Sequence, residues 1–268
     1  MKYFAVIGNP IDHSLSPRIH KLFAEQVGIK LDYRKQKVQS GVLSDEITRF
    51  FTNGGSGLNV TVPHKQGAYA LCDDLSPRAK LAGSVNTLYM NEGQLIGENT
   101  DGVGLVRDIT DNLEISCQKA KMLIIGAGGA SRGIIEPLLA ESPRSIDIVN
   151  RTFSKAAKLA KIFKKLGNIR ALSFDELLSD YDIIINASSS SLQQDIPAVP
   201  EKCLASGQLA YDLMYADSAT TFMSFAAQAG CKQQADGLGM LVEQAAEAFA
   251  IWNGYQPETK TVIACLRQ

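Results

Sequence analysis

The chain has 268 residues, 45% hydrophobic and 21% charged, and its 27 Lys and Arg against 28 Asp and Glu leave a formal net charge of −1. That composition excludes intrinsic disorder, collagen and coiled coil. It also offers no basic field for nucleic-acid phosphates or an anionic membrane. At roughly 150 residues per domain, the length is that of about two domains.

Five cysteines, Cys72, Cys117, Cys203, Cys231 and Cys265, are odd in number and far apart, with no Cys-x-x-Cys pair. They read as the reduced thiols of a cytoplasmic protein. The apolar stretch in MKYFAVIGNP is ended by Gly8 and Pro10, too short for a signal-peptide core, and no run approaches the roughly 20 apolar residues of a membrane span. His13, His20 and His64 do not fall at metal-ligand spacing, so no metal site is expected.

Along the chain, short β-rich runs alternate with helical patterns, which predicts an α/β architecture with parallel strands. Tyr3–Ile7 reads as a buried strand, Pro17–Val27 as a helix with Pro in its first turn, and Gly57–Val62 as a second strand. The polar loop Gly8–Ser16 is a first candidate for ligand contact. Val85–Met90 and Gln94–Gly97 flank Asn91-Glu92-Gly93, the signature of a tight hairpin.

A helical pattern then follows Asp101 to about Leu113, and the polar stretch Asp111–Lys121 reads as a crossover between domains. Strands are expected near Met122–Ile125, Ile146–Val149, Ile183–Ile185 and Leu209–Asp212, with helices between them. The tail breaks the alternation. Leu238, Leu241, Val242, Ala245, Ala246, Phe249 and Trp252 make one helical face, and Pro257–Leu266 forms another helical pattern. Two consecutive helices after the last strand are expected to pack back on the first domain. No internal repeat is present, and Ser188–Ser191 is only a short serine cluster.

KMLIIGAGGASRG places Gly126, Gly128 and Gly129 between an apolar strand and a helical run from about Ala130. In that context a glycine-rich turn brings a pyrophosphate onto the N–H groups of a helix start. The bland alternative is a glycine turn without a ligand. Ser131 stands at the third glycine of the common fingerprint, small enough for close helix-to-strand packing.

About 24 residues on from Gly126, where NAD enzymes carry an acid for the ribose 2′-hydroxyl, the run is Asn150-Arg151-Thr152-Phe153-Ser154-Lys155. A guanidinium there grips a 2′-phosphate with paired charge-assisted hydrogen bonds, which favours NADP over NAD. The competing reading leaves Arg151 and Lys155 as solvated cations, an unfavourable placement at a helix start unless an anion sits there.

A nicotinamide enzyme that reduces a carbonyl needs a proton donor and a group to stabilise developing charge. Lys65, after Asn59-Val60-Thr61-Val62-Pro63-His64, and Asp101, in Gly97-Glu98-Asn99-Thr100-Asp101-Gly102, are the candidates. Taken alone, Lys65 reads as a surface residue at the start of a Pro-led helix, and Asp101 as a helix N-cap.

Seven motifs in order, GNPIDHSLSPRIH, NVTVPHK, GSVNT, GENTDG, GAGGAS, NRT and DGLGMLVEQAA, resemble the shikimate dehydrogenase family over nearly the whole chain. The resemblance implies a substrate-binding catalytic domain formed by residues 1–101 with 237–268. It also implies a Rossmann-type NADP-binding domain with a parallel sheet at residues 102–236. The implied reaction interconverts 3-dehydroshikimate and shikimate, with NADPH and NADP⁺, in the route to chorismate and aromatic amino acids.

Carried onto matching positions, the resemblance puts the substrate carboxylate against Ser14 and Ser16, with Thr61 and Tyr215 nearby. The ring hydroxyls would meet Asn59, Lys65, Asn86, Asp101 and Gln244. Lys65 and Asp101 are the implied catalytic pair, and which of the two transfers the proton stays open. Ala127, Ala130, Leu213 and Gly237 join the glycine turn and Asn150–Lys155 as implied cofactor contacts. Ser84, Lys21, the run after Tyr215 and Ser188 depart from the family pattern beside its motifs. A quinate/shikimate dehydrogenase with broader cofactor use and a non-catalytic NADP-binding relative remain as alternatives, and the protein is expected to be a monomer or homodimer.

Overall fold

In a computed structural model of the chain, residues 1–188, 190 and 195–268 are described. The chain folds as two compact units, residues 1–104 with 242–268, and residues 105–241. Ser189 and Ser191 of the serine run lie outside the described residues.

The first unit is built on a six-stranded sheet in the order β2-β1-β3-β5-β6-β4. Its strands are β1 (Lys2–Gly8), β2 (Leu31–Lys37), β3 (Gly57–Val60), β4 (Asp74–Leu75), β5 (Thr87–Asn91) and β6 (Gln94–Glu98). β1 is the central buried run and pairs in parallel with β2 and β3. The expected hairpin is present: β5 and β6 are antiparallel, joined where Glu92 and Gly93 both take positive φ. β5 is also antiparallel to β3, so this sheet is mixed rather than wholly parallel.

Helices bury their apolar stripes on the sheet. α1 (Ser16–Gln26) turns in Ile19, Phe23 and Ala24, at i, i+4 and i+5, and α2 (Leu43–Thr52) turns in Leu43, Ile47 and Phe50, at i, i+4 and i+7, each set on one helix face. α3 is Lys65–Leu71 and α4 is Pro77–Ala82. Ser76 caps α4 by accepting from the Ala79 N–H, and Gly83 closes it in the left-handed conformation that favours glycine. From the C-terminal segment, Trp252 stacks on Phe4 at 4.9 Å and donates to the Leu88 carbonyl. A Cβ at Gly57 would lie 2.4 Å from the Trp252 ring, so only glycine permits this approach.

The helical pattern after Asp101 divides into α5 (Asp101–Arg107) and a π-helical turn at Asp108–Asn112. The polar stretch read as a crossover lies within the second unit.

The second unit carries β7 (Lys121–Ile125), β8 (Ser145–Val149), β9 (Ile169–Leu172), β10 (Ile183–Asn186), β11 (Leu209–Asp212) and β12 (Gln233–Ala235). They form one sheet in the order β12-β11-β10-β7-β8-β9, parallel throughout. Counted from β7, this is the order 6-5-4-1-2-3 of the doubly wound dinucleotide-binding fold, whose switch point lies between β7 and β10. The inner strands are buried along their whole length, as strands covered on both faces must be.

The helices of this unit are α6 (Gly129–Ala140), α7 (Phe153–Phe163) and α8 (Thr221–Gln228). α9 (Leu238–Asn253) begins here and continues into the residues of the first unit, followed by α10 (Lys260–Leu266). α10 starts three residues after Pro257.

Candidate active site

Lys65 opens α3, two residues after Pro63, so proline precedes this helix rather than leading it. The backbone around it is pinned on several sides. Thr61 N–H donates to the Ile7 carbonyl, His64 N–H to Thr61, and Val85 N–H to the Lys65 carbonyl at 3.0 Å. The buried His64 ring lies 2.8 Å from the Val38 carbonyl. From this base the Lys65 ammonium reaches both carboxylate oxygens of Asp101, Oδ1 at 2.9 Å and Oδ2 at 2.7 Å.

Asp101 is the first residue of α5, and its own N–H donates to Asn99 Oδ1. The N-cap reading of Asp101 is thereby replaced. Asn99 serves the turn, which leaves the Asp101 carboxylate to face Lys65. The turn is held at every residue. Asn99 N–H donates to Glu98 and Thr100 N–H to Asn86 Oδ1, while the Asn99 amide donates to Ser84.

Asn86 joins the pair to its surroundings. Its amide nitrogen faces three acceptors with two hydrogens, Asp101 Oδ1 at 2.9 Å, Thr100 Oγ1 at 2.9 Å and Gln244 Oε1 at 3.2 Å. Lys65, Asn86, Asp101 and Gln244 are therefore brought together, although they come from α3, the turn before β5, α5 and α9. Asn59 lies behind them, with both amide hydrogens directed at the Asn86 carbonyl and Thr87 Oγ1.

Ser14 and Ser16 sit together before α1, the Ser14 hydroxyl donating to Ser16 at 3.2 Å. Thr61 follows β3, and its methyl packs at Gly8, where a Cβ would come within 2.5 Å. Tyr215 belongs to the second unit, half-buried between β11 and α8, and burial raises its phenol above the ordinary value. Thr87 and Thr100 take part in the network without having been singled out from sequence. Both stand inside the GSVNT and GENTDG motifs, which is the signal that could have found them.

In the second unit, Gly126 follows β7 with φ +112°, and a Cβ there would lie 2.9 Å from the Ala187 carbonyl. Glycine is required on both counts. A cavity of about 510 Å³ opens here, lined by the run Gly126–Ala130 and by Asn150, Arg151, Lys155, Ser188 and Ser190, among others. From sequence Ser190 was only part of a serine cluster, which carries no spacing signal, and Ser188 was noted as a departure from the family pattern but not as a cofactor contact.

A Cβ on Gly128 or Gly129 would meet nothing within 4 Å. The first turn of α6, which lines the cavity at Gly129 and Ala130, has no acidic residue and no side-chain cap, so no side chain at its N-cap occupies the N–H groups of that turn. Ser131 is fully buried, as close packing requires, and its hydroxyl finds no partner among the described residues. Arg151 and Lys155 are exposed beside the start of α7, with no carboxylate among residues 150–155. These features fit a dinucleotide that carries a further phosphate.

Thr152, and Phe153 and Ser154 at the start of α7, are exposed without lining the cavity. Leu213 and Gly237 meet each other elsewhere in the unit, where a Cβ on Gly237 would lie 2.2 Å from the Leu213 carbonyl.

Three family models match the chain: the shikimate dehydrogenase substrate binding domain over residues 6–88, shikimate / quinate 5-dehydrogenase over 106–202, and the shikimate 5′-dehydrogenase C-terminal domain over 237–267. A shikimate dehydrogenase (NADP(+)) of Alkalilimnicola ehrlichii is 47% identical over 98% of both chains. Among solved structures, an Ael1 enzyme from Pseudomonas putida superposes with a TM-score of 0.95 at 40% identity, covering 100% of this chain and 99% of that one. The shikimate 5-dehydrogenase of Thermus thermophilus, crystallised with NADP(H) and shikimate, superposes with a TM-score of 0.89 at 31% identity, covering 100% and 99%. The chain belongs to the shikimate dehydrogenase family.

Proposed function

We infer that the protein catalyses the NADP-dependent interconversion of 3-dehydroshikimate and shikimate, in the route to chorismate and aromatic amino acids. The observation that carries the chemistry is the Lys65–Asp101 pair, with Asn86 bridging Asp101 to Gln244. A small polyhydroxylated acid needs many donors and acceptors and little apolar wall, which is the composition of this cluster.

In the proposed mechanism the bound nicotinamide supplies or takes the hydride. Lys65 Nζ gives a proton to the nascent alkoxide oxygen in reduction and receives it in oxidation. Asp101 keeps the ammonium in place and compensates its charge, which lowers the cost of partial burial. Asn86 and Gln244 bind ring hydroxyls, while Asn59 supports Asn86 and keeps one Oδ1 lone pair for a hydroxyl. The hydroxyls of Ser14 and Ser16 take the carboxylate, with Thr61 and Tyr215 contributing to the same ligand.

For the cofactor, the run Gly126–Ala130 holds the pyrophosphate on the N–H groups of α6. Arg151, just before α7, and Lys155, in its first turn, take the 2′-phosphate, with Asn150, Thr152, Phe153 and Ser154 beside them, and Leu213 and Gly237 complete the cofactor contacts.

Purified protein given shikimate and NADP⁺ should produce NADPH absorbance, and much less with quinate or with NAD⁺. A folded, NADP-binding protein with no turnover would falsify the enzyme reading, and a preference for NAD⁺ would remove the role of Arg151.

A further inference from the structure

Buried hydrogen bonds in the first unit form a chain whose donors all point the same way. Tyr33, on β2, donates its phenolic O–H to Asn59 Oδ1 at 2.6 Å. Asn59 Nδ2 donates to Thr87 Oγ1 at 3.2 Å, and the Thr87 hydroxyl donates to Asn86 Oδ1 at 2.9 Å. Asn86 Nδ2 then donates to Asp101 Oδ1 at 2.9 Å, on the carboxylate that receives Lys65.

The direction of this chain is set by groups that cannot reverse. Asn59 Nδ2 also faces the Asn86 backbone carbonyl at 3.1 Å, which only accepts. Asn86 Oδ1 also takes the Thr100 backbone N–H at 2.9 Å, which only donates. A hydroxyl has one hydrogen, so Thr87, receiving from Asn59, directs its own at Asn86. All five residues are buried, so water does not stand in readily for a missing link. At the far end the His20 ring stacks on Tyr33 at 4.4 Å and 13°, which fixes the plane of the phenol.

We propose that Tyr33 is a positioning residue that holds the Lys65–Asp101 pair in register through Asn59, Thr87 and Asn86. This rests on the reaction inferred above. Tyr33 reaches Asp101 only through this chain, and its hydroxyl also lies in hydrogen-bond reach of Ser16, so loss of that contact would be read in the KM for shikimate and loss of the chain in kcat.

Two conservative variants cut the chain at different links. Tyr33→Phe keeps the ring on His20 and deletes the donor, while Thr87→Val keeps the volume and deletes the second and third links. Each is expected to lower kcat for shikimate oxidation about tenfold, the effect of one buried hydrogen bond, with the KM for NADP⁺ unchanged. The double variant should lose no more than either single variant, because a chain already cut cannot be cut again. Multiplied losses, about a hundredfold, would overturn the proposal, and so would a wild-type kcat in Tyr33→Phe.

A second measurement needs no turnover. The side-chain amide signals of Asn86 in ¹⁵N-labelled protein should shift in Tyr33→Phe, and unchanged signals would overturn the proposal even if the kinetic variants proved unstable. If the wild-type protein does not oxidise shikimate while those signals do shift, the reaction assignment fails and the chain of positioning stands.

Discussion

Lys65 and Asp101 are 36 residues apart in sequence and 2.7 Å apart in space, and no spacing rule connects them. Each read alone was bland, a surface lysine and a helix cap. Their pairing depends on Asn99 taking over the turn and on Val85 fixing the Lys65 carbonyl. The glycine turn was legible because its requirement is local: Gly126 must adopt positive φ against the neighbouring strand whatever else folds around it. If Lys65 transfers the proton, Lys65→Ala should lower kcat by about 10²–10⁴ with little change in the KM for shikimate. Steady-state kinetics in both directions checks this, and a large KM effect at unchanged kcat would make Lys65 a binding residue.

Elements were legible in proportion to how completely they are buried. The inner strands β7, β8, β10 and β11 read directly as apolar runs, and the β5–β6 hairpin as its turn. β2 did not, because LDYRKQK is an edge strand whose outward residues are charged and whose main buried side chain is Tyr33. β12 and β9, at the two edges of the second sheet, were missed for the same reason.

One side chain, Arg78 on α4, links elements distant in sequence. It bonds Glu98 at the end of β6 and Glu247 on α9, while Ser76 and the Asn99 N–H share the Glu98 carboxylate. The Asp101 turn and the α9 segment bearing Gln244 are thus tied through one guanidinium. Arg78→Met removes the guanidinium from between two neighbouring carboxylates. Because Arg78 is about one-third exposed, the loss is expected to be about 1–2 kcal/mol rather than the larger cost of a fully buried pair. Chemical denaturation reads the loss, and adding Glu247→Gln should recover part of it by removing one of the two opposed charges.

At the scale of the whole molecule, stability acquires a pH dependence from one buried ring. His20 lies among Tyr33, Phe23, Phe249 and Trp252, and its Nε2 finds no hydrogen-bond partner among the described residues. Burial pulls its pKa from the ordinary 6.5 down to about 3, against a smaller opposing contribution from Asn59. Below about pH 6.5 the unfolded chain therefore binds a proton that the folded chain refuses, so stability falls as pH falls, until about pH 3. The slope is roughly 1.4 kcal/mol per pH unit, or about 2 kcal/mol lost between pH 7 and pH 5. Carboxylates held low, such as Asp74 by the Leu75 N–H and Asp180 by Lys121, lose their contribution only below their ordinary values near pH 4, so the window from pH 5 to 6.5 isolates His20 from them. His20→Phe removes the titrating group and keeps an aromatic ring in the box. Its unfolding free energy should be nearly flat across that window, whatever its level at pH 7. A variant whose stability still fell as steeply as the wild type would place the acid sensitivity elsewhere in the fold.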